Sequence, residues 1–238
     1  MDWAIQWFGG KIEERPIVRR TSPVARKASN KDFTDLALRT WAECTDIAGS
    51  LAEAYLRHRC AWPETVNDLR FHPNCPMGKD RQDQLIRAPA MVGLMRNIIT
   101  GKPQGIHRTA LLRDGTGRDK VLGKKMLGPQ EGAAIMLCPP EDVTTGLGIS
   151  EGIENGTTMM ASGWRPVWCA LSAGGVEAFP VIDGVERLTI FADADDRGRG
   201  QEAARNCASR WYREGRGVDI LTPPAGKDWN RVAQERAA

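Results

Sequence analysis

The chain has 238 residues, with 33 Lys and Arg against 30 Asp and Glu for a net charge of +3, and 41% of it is hydrophobic, enough for one large or two small globular domains. No apolar run approaches the roughly 18 residues of a membrane span and no signal-peptide core opens the sequence, which argues against membrane insertion and secretion. The six cysteines, Cys44, Cys60, Cys75, Cys138, Cys169 and Cys207, include no Cys-x-x-Cys pair, so the sequence reads as a cytoplasmic protein with reduced thiols rather than a disulfide scaffold.

Residues 1–31 are basic and poor in apolar positions and read as a flexible arm, with Trp3, Trp7 and Phe8 as packing residues. From Asp32 the pattern is helical: Phe33, Leu36, Ala37, Thr40, Trp41 and Cys44 recur at three and four, and Ile47, Leu51, Ala54 and Tyr55 continue after a break at Thr45-Asp46, which predicts two short helices. Between Leu69 and Cys138 the sequence predicts short strands of a twisted antiparallel sheet. These are Leu69 to His72, Ala90 to Met95 and Gly105 to Leu112, the last followed by a turn at Arg113 to Gly117. His72 and Cys75 form half of a zinc site, but no second pair stands at metal spacing, so structural zinc is not expected. Most of the basic excess lies in Arg70 to Lys125, so a polyanion partner would meet the middle of the chain.

Beyond residue 143 the pattern becomes strand, turn and helix in alternation. Leu147 to Ser150 ends in Glu151-Gly152, Pro166 to Leu171 ends in Ser172-Ala173-Gly174-Gly175, and Leu188 to Phe191 ends in Asp193, Asp195 and Asp196. Gln201 to Glu214 carries Ala203, Ala204, Cys207, Ala208 and Trp211 at helical spacing, and Val218 to Leu221 is a fourth strand. The Gly174-Gly175 pair suits either a close backbone approach to a ligand or a plain turn. Asp193 and Asp195 alternate along an extended backbone and point the same way, about 7 Å apart, close enough to share a hard divalent cation. A solvated turn or an acid-rich helix N-terminus would use the same residues. In a parallel sheet, however, neighbouring strand ends converge, which lets Glu151 meet that pair in one cleft.

Glu151-Gly152 and Asp193-x-Asp195-x-x-Gly198 together resemble the Toprim domain shared by DnaG-type primases, topoisomerases, OLD-family nucleases and ribosomal RNA maturases, over roughly Thr145 to Val232. The resemblance implies an α/β fold with a four-stranded parallel sheet flanked by helices. In it Asp193 and Asp195 bind Mg²⁺ or Mn²⁺, and Glu151 assists in acid/base chemistry or metal binding during phosphoryl transfer. Lys227-Asp228-Trp229-Asn230 resembles an element that ends many primase-type Toprim domains. Asp196 and Asp228 are further metal or nucleotide candidates, with a helix N-cap as the other reading of Asp228. The phrases around Leu69, Gly105 and Lys124 resemble a primase-like domain that precedes Toprim in phage and mobile-element proteins, which divides the chain into 1–31, a smaller α+β subdomain at 32–143 and a Toprim domain at 144–238.

A Toprim centre needs a phosphate path. His107, Arg108, Arg113, Arg118, Lys120, Lys124 and Lys125 are its candidates, although such residues also suit packed or solvated positions. No tyrosine stands in a recognisable topoisomerase module, since the chain has only Tyr55 and Tyr212, and no P-loop supports an OLD-type ATPase. The expected activity is therefore primase-like synthesis of short RNA primers from ribonucleoside triphosphates on single-stranded DNA. A replicative helicase or separate zinc-binding module acting in trans is the expected partner, because neither stands in this sequence. A metal-dependent nuclease would use the same acids on water, and a noncatalytic accessory protein of a phage or mobile element would need only the basic middle.

Overall fold

The apolar runs assemble into two sheets in the computed structural model, which describes residues 25–194, 198–224 and 226–237. Two helices come first, α1 (Ala25–Ala42) and α2 (Leu51–His58), followed by the antiparallel strands β1 (Leu69–Lys79), β2 (Leu85–Asn97), β3 (Pro103–Ala110) and β4 (Lys124–Leu127), paired in that order. The short β5 (Ala133–Ala134) pairs with the end of β2. Helix α1 begins seven residues before the predicted start and buries Ala37 and Thr40. Phe33 and Leu36 fall outside the inward line set by Thr34, whose hydroxyl donates to Gln104 O, and stay exposed.

The second sheet is parallel and has the order β7 (Val167–Cys169), β6 (Gly146–Ser150), β8 (Arg187–Phe191), β9 (Gly217–Leu221). Helices α3 (Ile153–Ala161), α4 (Ala173–Glu177), α5 (Arg199–Arg213) and α6 (Trp229–Ala237) connect and flank it. The expected α/β class and four-stranded parallel sheet are therefore present, behind an antiparallel sheet subdomain. The chain enters α5 through Gly198, whose φ of 68° is a left-handed conformation that glycine adopts without steric cost. Ala203, Ala204, Cys207 and Trp211 then bury the face predicted from their spacing.

Alternation along the strands sorts the core into three layers. On β2, Met91 and Met95 face the interior shared with the parallel sheet, whereas Ala90, Val92 and Leu94 face the outer layer under α1. Residues 133–138 join the sheets: Ala133, Ile135 and Leu137 point into the shared core, and Ala134 and Met136 into the layer beneath the parallel sheet. Ile135 exchanges both backbone hydrogen bonds with Cys169 of β7, each 2.9 Å, directly after β5 pairs with β2. No helix among the described residues is long and apolar enough to cross a membrane.

Candidate active site

The parallel sheet sets out the acids. Strands β6 and β8 are neighbours in register to their last pair, Ser150 with Phe191. Glu151 and Asp193 leave those adjacent strands one and two residues later and line one cleft of about 510 Å³ at the carboxyl edge of the sheet, where open α/β sheets place their chemistry. Gly152 turns the chain into α3. Asp195 and Asp196 lie outside the described residues. Asp228 lines the cleft too, and its Oδ1 accepts from Arg231 N at 2.7 Å, capping α6.

The antiparallel sheet supplies the opposite wall. In the β3–β4 register His107 pairs with Met126, Arg108 with Lys125 and Thr109 with Lys124. Successive residues point to opposite faces of a strand, so His107 and Lys124 share the face that lines the cleft. The loop between these strands is shaped by Asp114, which accepts from Thr116 N, and by Asp119, which accepts from Val121 N and Leu122 N. It brings Arg118 and Lys120 to the cleft. Burial, and then the charge of Lys124, pull the His107 imidazole down to about 4, so it is neutral near pH 7.

Both walls meet at Glu154 on the first turn of α3. Its carboxylate accepts from Tyr55 Oη at 2.9 Å and from Lys124 Nζ at 2.8 Å, joining α2, β4 and α3. Burial alone would raise this carboxyl. The Lys124 charge and hydrogen bond, the Glu154 backbone and the Tyr55 hydroxyl together outweigh it and hold the group at about 2. The Tyr55 hydroxyl is pushed up by burial and then by the Glu154 charge, and it remains a donor. Next along α3, Asn155 Nδ2 donates to Asp193 Oδ1 at 2.6 Å.

Three basic residues expected in the phosphate path lie elsewhere. Arg108 is buried on the opposite face of β3, where its guanidinium donates to the carbonyls of Pro76 and Met126. Lys125 alternates away from Lys124 towards Gly78, and Arg113 lines a separate groove beside Leu51 and Pro89. The Gly174-Gly175 pair makes its close approach to the chain itself, because a Cβ at Gly175 would collide with the Ala170 carbonyl oxygen. Gly175→Ala is therefore expected to destabilise the protein by about 1–3 kcal/mol, read as a lowered melting temperature; an unchanged value would mean that the turn opens freely. His72 bonds Glu43 at 3.2 Å while Cys75 lies in the outer core, and no three His, Cys, Asp or Glu side chains among the described residues converge on a point that could hold an ion.

Sequence reasoning gave no site role to Tyr55 and Arg59, which line the cleft, to Glu154 and Asn155, or to Asn230, whose backbone N–H donates to Asn155. Only the Asp228-Trp229-Asn230 phrase and the polar residues directly after Glu151-Gly152 gave a signal for any of them. The carboxylates of Glu151 and Asp193 are oxygen donors at adjacent strand ends, with one Asp193 oxygen held by an amide, a donor set that suits a hard cation such as Mg²⁺.

Residues 31–137 match a Domain of unknown function (DUF7146), and residues 146–238 match the Toprim domain. No curated protein matches the chain. Among solved structures, the zinc-binding and RNA polymerase domains of the Aquifex aeolicus primase superimpose with a TM-score of 0.50 at 12% sequence identity. The match covers 98% of this chain and 62% of that one, and at such identity the likeness is one of fold. The chain thus carries a Toprim domain over residues 146–238, and its fold resembles that of the primase's zinc-binding and RNA polymerase domains.

Proposed function

We propose that the chain is a primase-like nucleotidyltransferase that joins ribonucleotides into short RNA primers on single-stranded DNA. The observation that carries this reading is the single cleft that sets Glu151 and Asp193 against Arg118, Lys120 and Lys124. Its volume is that of a small-ligand site. In this reading Glu151 and Asp193, with Asp195, hold Mg²⁺ or Mn²⁺, Lys124 faces the reacting phosphates, and Arg118 and Lys120 guide the template backbone. A bound cation supplies charge that offsets the growing negative charge on the attacking and leaving oxygens. The residues of the chain hold the phosphates in line and keep His107 neutral beside them.

The template path has its own test. Binding of single-stranded DNA should weaken with salt, and Arg118→Ala with Lys120→Ala should make the slope of log K against log salt shallower by about 0.7 for each phosphate that is no longer neutralised. Arg113→Ala and Lys125→Ala, which alter residues outside the cleft, should leave that slope unchanged; equal effects at all four positions would remove the proposed path.

The activity itself is tested by incubating the purified chain with single-stranded DNA, labelled ribonucleotides and Mg²⁺ or Mn²⁺ and resolving the products on a denaturing gel. Short labelled products that require template support the proposal. Shortened DNA would instead make the protein a nuclease acting through the same carboxylates, and binding with no change to either strand would make it an accessory protein.

A further inference from the structure

We infer that Asn155 and Asn230 are positioning residues for Asp193, forming a hydrogen-bond relay that couples the C-terminal helix α6 to the cation site. The inference rests on the reading of Asp193 as a cation ligand.

The direction of every bond in the relay is fixed. The Asn230 backbone N–H can only donate, and it donates to Asn155 Oδ1 at 3.1 Å. The Asn155 amide is therefore held with its Nδ2 towards Asp193, where it donates to Oδ1, and the usual ambiguity between the two ends of an amide does not arise. Asn230 is itself clamped: it is fully buried, and its Nδ2 donates to Arg59 O at 2.7 Å and to Thr158 Oγ1 at 2.9 Å. The Thr158 hydroxyl spends its own proton on Glu154 O at 2.7 Å, so towards Asn230 it can only accept. Asn230 Oδ1 has no partner among the described residues, which means that its side chain is held through the donor end alone.

Asn155 and Thr158 are both buried, so bulk water has little access to replace either bond. Trp229, the first residue of α6, also packs edge-on against Phe191 with ring centroids 6.4 Å apart, and Phe191 is the last residue of the strand that delivers Asp193. The seating of α6 thus fixes Asn155, and Asn155 fixes the plane of the Asp193 carboxylate. Groups that hold a metal ligand in this way typically change metal affinity by about 10–100-fold when removed.

The test is the affinity of the full chain for Mn²⁺, followed by the loss of the free-ion signal in electron paramagnetic resonance, with melting temperature recorded for each variant. Asn155→Ala is expected to weaken Mn²⁺ binding about tenfold. Thr158→Val, which keeps the volume but removes the acceptor for Asn230, should weaken it about threefold, and Thr158→Ser should restore it. If Asn155→Ala does not fold, the Thr158 pair carries the test, since neither variant touches Asp193. Asn155→Ala and Thr158→Val binding Mn²⁺ like the unsubstituted chain, while Asp193→Ala loses it, would overturn the relay and leave the cation site standing. No Mn²⁺ binding by the unsubstituted chain, or undiminished binding by Asp193→Ala, would overturn both.

Discussion

Asp193→Ala is expected to lower template-dependent ribonucleotide incorporation by about a thousandfold, the rate equivalent of several kcal/mol of lost charge stabilisation. Affinity for single-stranded DNA should change little, because Arg118 and Lys120 come from the other wall of the cleft. The two measurements separate catalysis from binding. Loss of DNA binding together with turnover would mean that Asp193 shapes the cleft rather than the reaction, and turnover unchanged would remove Asp193 from the site.

Lys124→Met is expected to lower stability by about 3 kcal/mol at neutral pH, because it leaves the Glu154 charge buried without its cation. The figure sits at the low end for a broken buried pair because Lys124 is partly open to solvent, which screens it. The loss should depend on pH in a definite direction. In the intact protein the Glu154 carboxyl is held at about 2, below its ordinary 4.5, so its contribution is fully present above pH 4.5 and is lost as pH falls towards 2. Without Lys124 the two largest influences that lower the carboxyl are gone while burial remains, so the folded-state value rises and the variant gains stability relative to the intact protein as the pH is lowered and the carboxyl takes up a proton. Denaturant melts of both proteins at pH 7 and pH 4 should show the gap narrowing. A gap of the same size at both values would mean that Lys124 contributes packing and not charge.

The acids at the strand ends were legible because the physics that places them is local. An apolar run that stops at a carboxylate followed by glycine can be read without knowing what lies beside it, and β6 and β8 fall where that pattern puts them. The basic wall was only half legible. Alternation in Gly105 to Leu112 already required His107 and Arg108 to face opposite ways, but which face meets the parallel sheet depends on how the two sheets pack. Lys124 and Lys125 divide for the same reason. Glu154 and Asn155 escaped notice because acids and amides in the first turn of a helix usually face water. Here α2 and α6, from distant parts of the sequence, cover that turn, and Tyr55 is 99 residues from Glu154 and Asn230 is 75 from Asn155. Of these partners the local sequence marks only Asn230, through the Asp228-Trp229-Asn230 phrase.

The segment 133–138 carries a mechanical consequence. It pairs with β2 through Ala133 and Ala134 and with β7 through the next residue, Ile135, so a short length of backbone is stitched into both sheets at once. Hinge motion concentrates where few hydrogen bonds cross between bodies, and this join offers no such crease. The two walls of the cleft are thus tied to each other through backbone hydrogen bonds, whereas Arg118 and Lys120 reach it from the surface loop between β3 and β4.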